Sequence, residues 1–132
     1  MTKNDLTCVR ELHKKICAIE RHLKKLRLSV ENLTPILDGL PHASEAKSRV
    51  ERLVLNIVED ERTLAEFREQ FQQARIRLIE IIMREVDEPI LQTLLIMHYA
   101  ECLSFREISR RMRYGLRHIF KLHEQFLKDG IG

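Results

Sequence analysis

With 132 residues, four glycines, three prolines and no tryptophan, the chain lacks the turn chemistry of an all-β fold, and its 44% apolar residues recur too regularly for a disordered one. The net charge of +3 is local: residues 101–132 hold seven basic residues against four acidic ones, while residues 1–100 carry sixteen of each. The length fits one domain, or one small domain with an extended helical arm.

The first predicted helix covers about residues 5–37. Its apolar positions Val9, Leu12, Ile16, Ile19, Leu23, Leu26, Val30, Leu33 and Leu37 alternate steps of three and four. That is the 3.5-residue seam of a coiled coil, over four heptads. Pro35 predicts a kink or an end near Thr34. A loop follows at Asp38-Gly39-Leu40-Pro41-His42-Ala43, and Ser44 is placed to cap the next helix.

The second predicted helix covers about residues 45–86. Its seam is Val50, Leu53, Ile57, Asp60, Leu64, Phe67, Phe71, Ala74, Leu78 and Ile81, with one polar member, Asp60. A polar seam residue weakens a coiled coil but fixes register or partner number. Val54, Val58, Ile79 and Ile82 widen the stripe, which suits contact with a further neighbour, either the C-terminal module or a second chain. Residues 1–37 hold eight basic and four acidic side chains, and residues 45–88 eight basic and eleven acidic. Matched seams, opposite charge and a short loop predict a long antiparallel, coiled-coil-like helical hairpin. A lone two-stranded hairpin of this length, roughly 50 Å, buries only one seam, so self-association is expected, a dimer foremost.

Asp87-Glu88-Pro89 ends the second helix, and Pro89 suits the first turn of the next. Residues 90–100 are apolar on most sides and predict the scaffold helix of a small C-terminal module. Ser104 and Glu107 form an S-x-x-E capping box that opens a helix to about Met112. A tight turn at Arg113-Tyr114-Gly115 leads into a last helix of about residues 116–128. Ile108, Met112, Tyr114, Ile119 and Leu122 supply the apolar contacts, and Ser109 is small where two helices cross steeply. This is the layout of a helix-turn-helix, whose second helix enters the major groove of DNA. The expected fold is therefore all-α, with a hairpin arm over 1–87 and a helix-turn-helix module over 88–132.

On the last helix Ile119, Leu122 and Phe126 mark the buried face, and Arg117 and Lys121 lie opposite, with Leu116 and His118 near the start. Arg117 and Lys121 can reach guanine acceptors or phosphates, and His118 can donate to either. Arg106, Arg110, Arg111 and Arg113 belong to the preceding helix and turn, where phosphate contacts are expected. A solvated basic face of a three-helix cap is the competing reading.

Cys8, Cys17 and Cys102 imply no disulfide framework. The charged start Met-Thr-Lys-Asn-Asp opens no signal core, and no run of 18 apolar residues is present, so a soluble cytoplasmic protein is expected, with no membrane partner. His13 and Cys17 share a helix face but lack the other ligands of a closed metal site, so no metal or other cofactor is expected. His98 and Cys102 suit the boundary of a core. No G-x-S-x-G, phosphate-cradling loop or paired Cys/His nucleophile appears, and no enzyme activity is expected.

From Ile90 onward the chain resembles the helix-turn-helix of the fourth conserved region of bacterial sigma factors. Within that class it is similar to ArpU-type late-gene regulators of phages and prophages. His98-Tyr99, Leu103-Ser104, Glu107-Ile108, Arg111-Met112, Tyr114, Arg117-His118-Ile119 and Leu122-His123 carry the resemblance. It implies double-stranded DNA as partner, regulation of phage or prophage transcription, and RNA polymerase as a further candidate partner. Three positions depart from that pattern. Arg113 stands where a turn glycine is common, Gly115 replaces a Ser or Thr cap, and Leu116 stands where a polar residue is frequent. Leu116 is then placed for a thymine methyl or for a protein contact. Two alternatives remain beside the regulator: a small terminase-like packaging component, and a protein that grips polymerase without reading DNA.

Overall fold

The computed structural model describes residues 1–33 and 43–130. The chain is all-helical: two long N-terminal helices packed together as a hairpin are followed by shorter helices. These are α1 (Lys3–Leu33), α2 (Ala43–Glu85), α3 (Pro89–Leu95, continued by a π-helical turn Ile96–Ala100), α4 (Phe105–Met112) and α5 (Leu116–Gly130). The predicted loop over 38–42, Pro35, the last seam position Leu37 and the tail Ile131-Gly132 lie outside the described residues. α2 begins at Ala43, one residue before the expected Ser44 cap, a latitude common at helix ends.

α1 starts two residues earlier than expected, for a local reason. The Thr2 N–H donates to the Asp5 carboxylate at 2.8 Å, and the Asp5 N–H donates to the Thr2 hydroxyl at 3.2 Å. This reciprocal cap satisfies two of the donors a helix start leaves open. Hydrogen bonding to the carboxylate from the Thr2 backbone N–H, chiefly, and from its side chain holds the Asp5 carboxyl below its usual range.

By their contacts, the described residues form two compact units. One is Lys14–Glu69, where the middle of the hairpin closes on itself. Ile16, Leu23 and Leu64 are buried there, and no described seam position of either helix in this unit is fully exposed. Glu20 pairs with Arg68 at 3.4 Å, Arg27 with Glu61 at 2.8 Å, and the ammonium of Lys15 sits 5.6 Å from the centre of the Phe67 ring. The polar seam residue Asp60 accepts a hydrogen bond from His22 across the hairpin.

The other unit joins Met1–His13 to Gln70–Gly132. Its main core holds Leu6 and Val9 of α1, Leu78, Ile82 and Val86 at the end of α2, Leu95, Tyr99 and Ala100, and Phe126 of α5. The contact units thus do not follow the helix break near residue 88, because the root of the hairpin shares a core with the C-terminal helices. The widened stripe of α2 divides accordingly. Ile82 is buried and Ile79 packs on this core, whereas Val54 and Val58 remain exposed.

α3 opens as its sequence requires. Glu88 is extended at the cap position and its carboxylate accepts from the Ile90 and Leu91 N–H groups, with Pro89 first in the helix. Neighbouring Leu94 and Leu95, both fully buried, then serve different cores. Leu95 joins the hairpin root, and Leu94 joins Ile108 and Ile119 in a second cluster. The scaffold role expected for residues 90–100 is this two-sided burial. The consecutive residues His98, Tyr99 and Ala100 are also buried, more than one face of a regular α-helix can offer. The wider π-turn accommodates them, closed by the Glu101 N–H on the Ile96 carbonyl at 2.9 Å. Cys102 then turns left-handed (φ 58°), and the Leu103 N–H returns to the Met97 carbonyl at 3.0 Å. This is a Schellman-type stop with cysteine where glycine is usual.

Candidate nucleic-acid interface

The helix-turn-helix is built on Leu94, Ile108 and Ile119, with Leu103, Phe105, Met112, Tyr114 and Leu122 packed around them. Ser104 caps α4 as its motif predicts: its hydroxyl accepts the Glu107 N–H at 3.2 Å. The return half of the box differs from expectation. Both oxygens of Glu107 are engaged by arginines one turn on, Arg110 and Arg111, the latter at 3.1 Å. A charged guanidinium attracts this carboxylate more strongly than a neutral amide does.

α4 ends at Arg113, in the left-handed region at φ 59°, ψ 35°. This non-glycine turn costs about 1 kcal/mol. Ser109 offsets part of it, because its hydroxyl donates to the Tyr114 carbonyl across the turn. Its small size suits Ser109 to the helix crossing, and the hydrogen bond gives it a second role. Gly115 precedes α5, and its carbonyl accepts the first helical bond from Ile119 N–H at 3.1 Å. A Cβ at Gly115 would meet nothing within 4 Å, so the missing cap is not imposed by crowding.

On α5 the buried row is Ile119 and Phe126, with Leu122 and His123 half-buried beside them. Arg117, His118 and Lys121 are exposed over the first two turns, with the His118 ring 5.3 Å from Tyr114. Leu116 is half-buried at the edge of this face, not fully on it. Further along, Glu124 pairs with Lys128 at 3.4 Å, so the unpaired positive charge is concentrated at the start of the helix. Arg106, Arg110, Arg111 and Arg113 are all exposed on the preceding helix and turn. Two of them, Arg110 and Arg111, share the Glu107 carboxylate.

Behind this face lies a polar network absent from the sequence reading. The His98 Nδ1–H donates to the Leu103 carbonyl at 2.9 Å, and a guanidinium nitrogen of Arg10 lies against the ring, 3.2 Å from Nδ1 and 3.1 Å from Nε2. Arg10 also donates to the His98 carbonyl at 2.9 Å. Burial, chiefly, pushes the His98 pKa down to about 4, and the nearby Arg10 charge adds to this against the Leu103 bond. The Tyr99 hydroxyl donates to His123 Nε2 at 2.5 Å, and burial lowers the His123 pKa and raises that of Tyr99. Phe105 stacks on His98 at 4.1 Å and meets His123 edge-on at 5.0 Å. Of the histidines on α5, His118 is the exposed one and His123 belongs to this network.

No group of three or more potential ligands that could hold a metal occurs among the described residues. No helix among them is long and apolar enough to cross a membrane. Comparison with known proteins gave no match to any family model, curated protein or solved structure.

Proposed function

We propose that the chain is a DNA-binding transcription regulator that self-associates through its N-terminal helices. The observation that carries this reading is the exposed Arg117-His118 pair with Lys121 one turn on. Arg117 and Lys121 make the first two turns of α5 cationic, behind a tight left-handed turn and on an apolar base. Recognition helices meet base edges with that part of the helix, while the preceding helix faces phosphates. Arg106, Arg110, Arg111 and Arg113 supply the phosphate side. The resemblance to phage and prophage late-gene regulators supports target genes of that class and makes RNA polymerase a candidate partner.

The test is binding to a labelled random-sequence DNA duplex at several salt concentrations, followed by selection of preferred sequences. Wild type should bind with a steep salt dependence. Arg117→Ala with Lys121→Ala should weaken binding on the order of tenfold and lower the salt slope by about two. Unchanged affinity in this double variant argues for a solvated basic face instead. A particle mass well above a dimer would favour a packaging component.

A further inference from the structure

The face of α2 turned away from α1 carries a second, self-complementary seam. Ser48, Glu51, Leu55, Val58, Arg62 and Ala65 follow steps of three and four, and every one is exposed. Leu55 is 64% exposed and Val58 47%, in a helix whose α1-facing seam is covered. Two large apolar residues at successive positions of an open seam, flanked by charged and small ones, offer a contact to another helix.

The order of the side chains identifies that helix. Reversing the seam about the Asn56–Ile57 bond places Leu55 opposite Val58, Glu51 opposite Arg62, and Ser48 opposite Ala65. An apolar centre thus meets an apolar centre, a carboxylate meets a guanidinium, and a small residue meets a small residue. A two-fold axis through this point makes each pairing occur twice, as an isologous contact requires. An unrelated partner would have no reason to match a palindrome.

We infer that α2 pairs antiparallel with α2 of a second copy through this seam, centred between Asn56 and Ile57. The inference rests on the self-association proposed above and names its surface. The contact spans about 26 Å of helix and has two apolar layers and two ion pairs, so it makes a reversible dimer that high salt weakens.

The experiment is sedimentation equilibrium of the full chain over a range of micromolar concentrations, with circular dichroism to confirm helicity. Four proteins are compared: wild type, Glu51→Arg, Arg62→Glu and the double exchange. Both side chains are exposed, so folding of the variants is not at issue. Wild type should dimerise. Each single reversal sets like charges opposite each other twice and should raise the dissociation constant on the order of tenfold. The double exchange restores opposite charges and should recover dimerisation. A monomeric wild type overturns both this inference and the self-association it rests on. A wild-type dimer indifferent to the single reversals, or a double exchange that fails to recover, overturns the α2 seam alone and leaves self-association elsewhere.

Discussion

Arg10 of α1 donates a hydrogen bond to the backbone carbonyl of His98, 88 residues further along the chain, and its guanidinium lies against the His98 ring. One guanidinium thereby fastens the start of the hairpin to the π-turn that supports the helix-turn-helix. His98 is 7% exposed, so its acceptors have little access to water once Arg10 is gone. Arg10→Ala should therefore cost about 2–3 kcal/mol of stability, measured by urea denaturation. Arg10→Lys should recover part of this, because an ammonium can reach one acceptor but lacks the fixed fork.

The same network predicts an acid-sensitive fold. His98 has a pKa of about 4 in the folded chain, against an ordinary 6.5, because burial disfavours its charged form. Between these values the unfolded chain binds the proton and the folded one does not. Stability from this group is therefore complete above pH 6.5 and is lost as pH falls toward 4. The change should be on the order of 2 kcal/mol, allowing for solvent screening. His123, shifted in the same direction, adds to it. Denaturation followed from pH 7 to pH 4 checks the slope, and His98→Gln should flatten it.

The contrast between what the sequence did and did not show has a physical origin. Seams, caps and breakers act over one or two turns, so the hairpin, the Ser104 cap and the Pro89 start were legible from spacing alone. The Thr2–Asp5 cap carries the same kind of local signal, three residues apart, and lies just ahead of the apolar pattern. The Arg10–His98 and Tyr99–His123 contacts join distant segments, and no local pattern encodes them. The π-turn is intermediate. Three consecutive residues with buried side chains cannot sit on one face of a 3.6-residue helix, and residues 90–100 were already apolar on most sides. Within the basic face, side-chain type marked Arg110 and Arg111, but only the folded geometry gives both to Glu107.

The turn before α5 is open to improvement at two positions. Arg113 is left-handed without being glycine, so Arg113→Gly should add up to about 1 kcal/mol despite the greater freedom of glycine when unfolded. Gly115 has open space around its Cβ and leaves α5 without a side-chain cap. Gly115→Ser should add about 0.5–1 kcal/mol, by capping and by restricting the unfolded chain. Thermal melts of the two single variants and their combination check both. The positions are near neighbours, so exact additivity is not expected.

Glu107 sets the charge around the α4 arginines. Its carboxylate holds Arg110 and Arg111 at once, and it is the acidic residue between Arg106 and Arg117. If these arginines face the DNA backbone, as proposed, Glu107 draws two of them from phosphate and adds repulsion of its own. Glu107→Gln keeps the size and the helix propensity but removes the charge. Affinity for a random-sequence duplex should rise several-fold, with a steeper salt dependence as the two arginines become available to phosphate. The Ser104 hydroxyl still caps the backbone N–H of residue 107, so helicity should stay unchanged. The paired measurement is a binding titration at two salt concentrations beside circular dichroism of the same samples. Unaltered affinity with intact helicity would place Arg110 and Arg111 away from the DNA and confine its contacts to α5 and the turn.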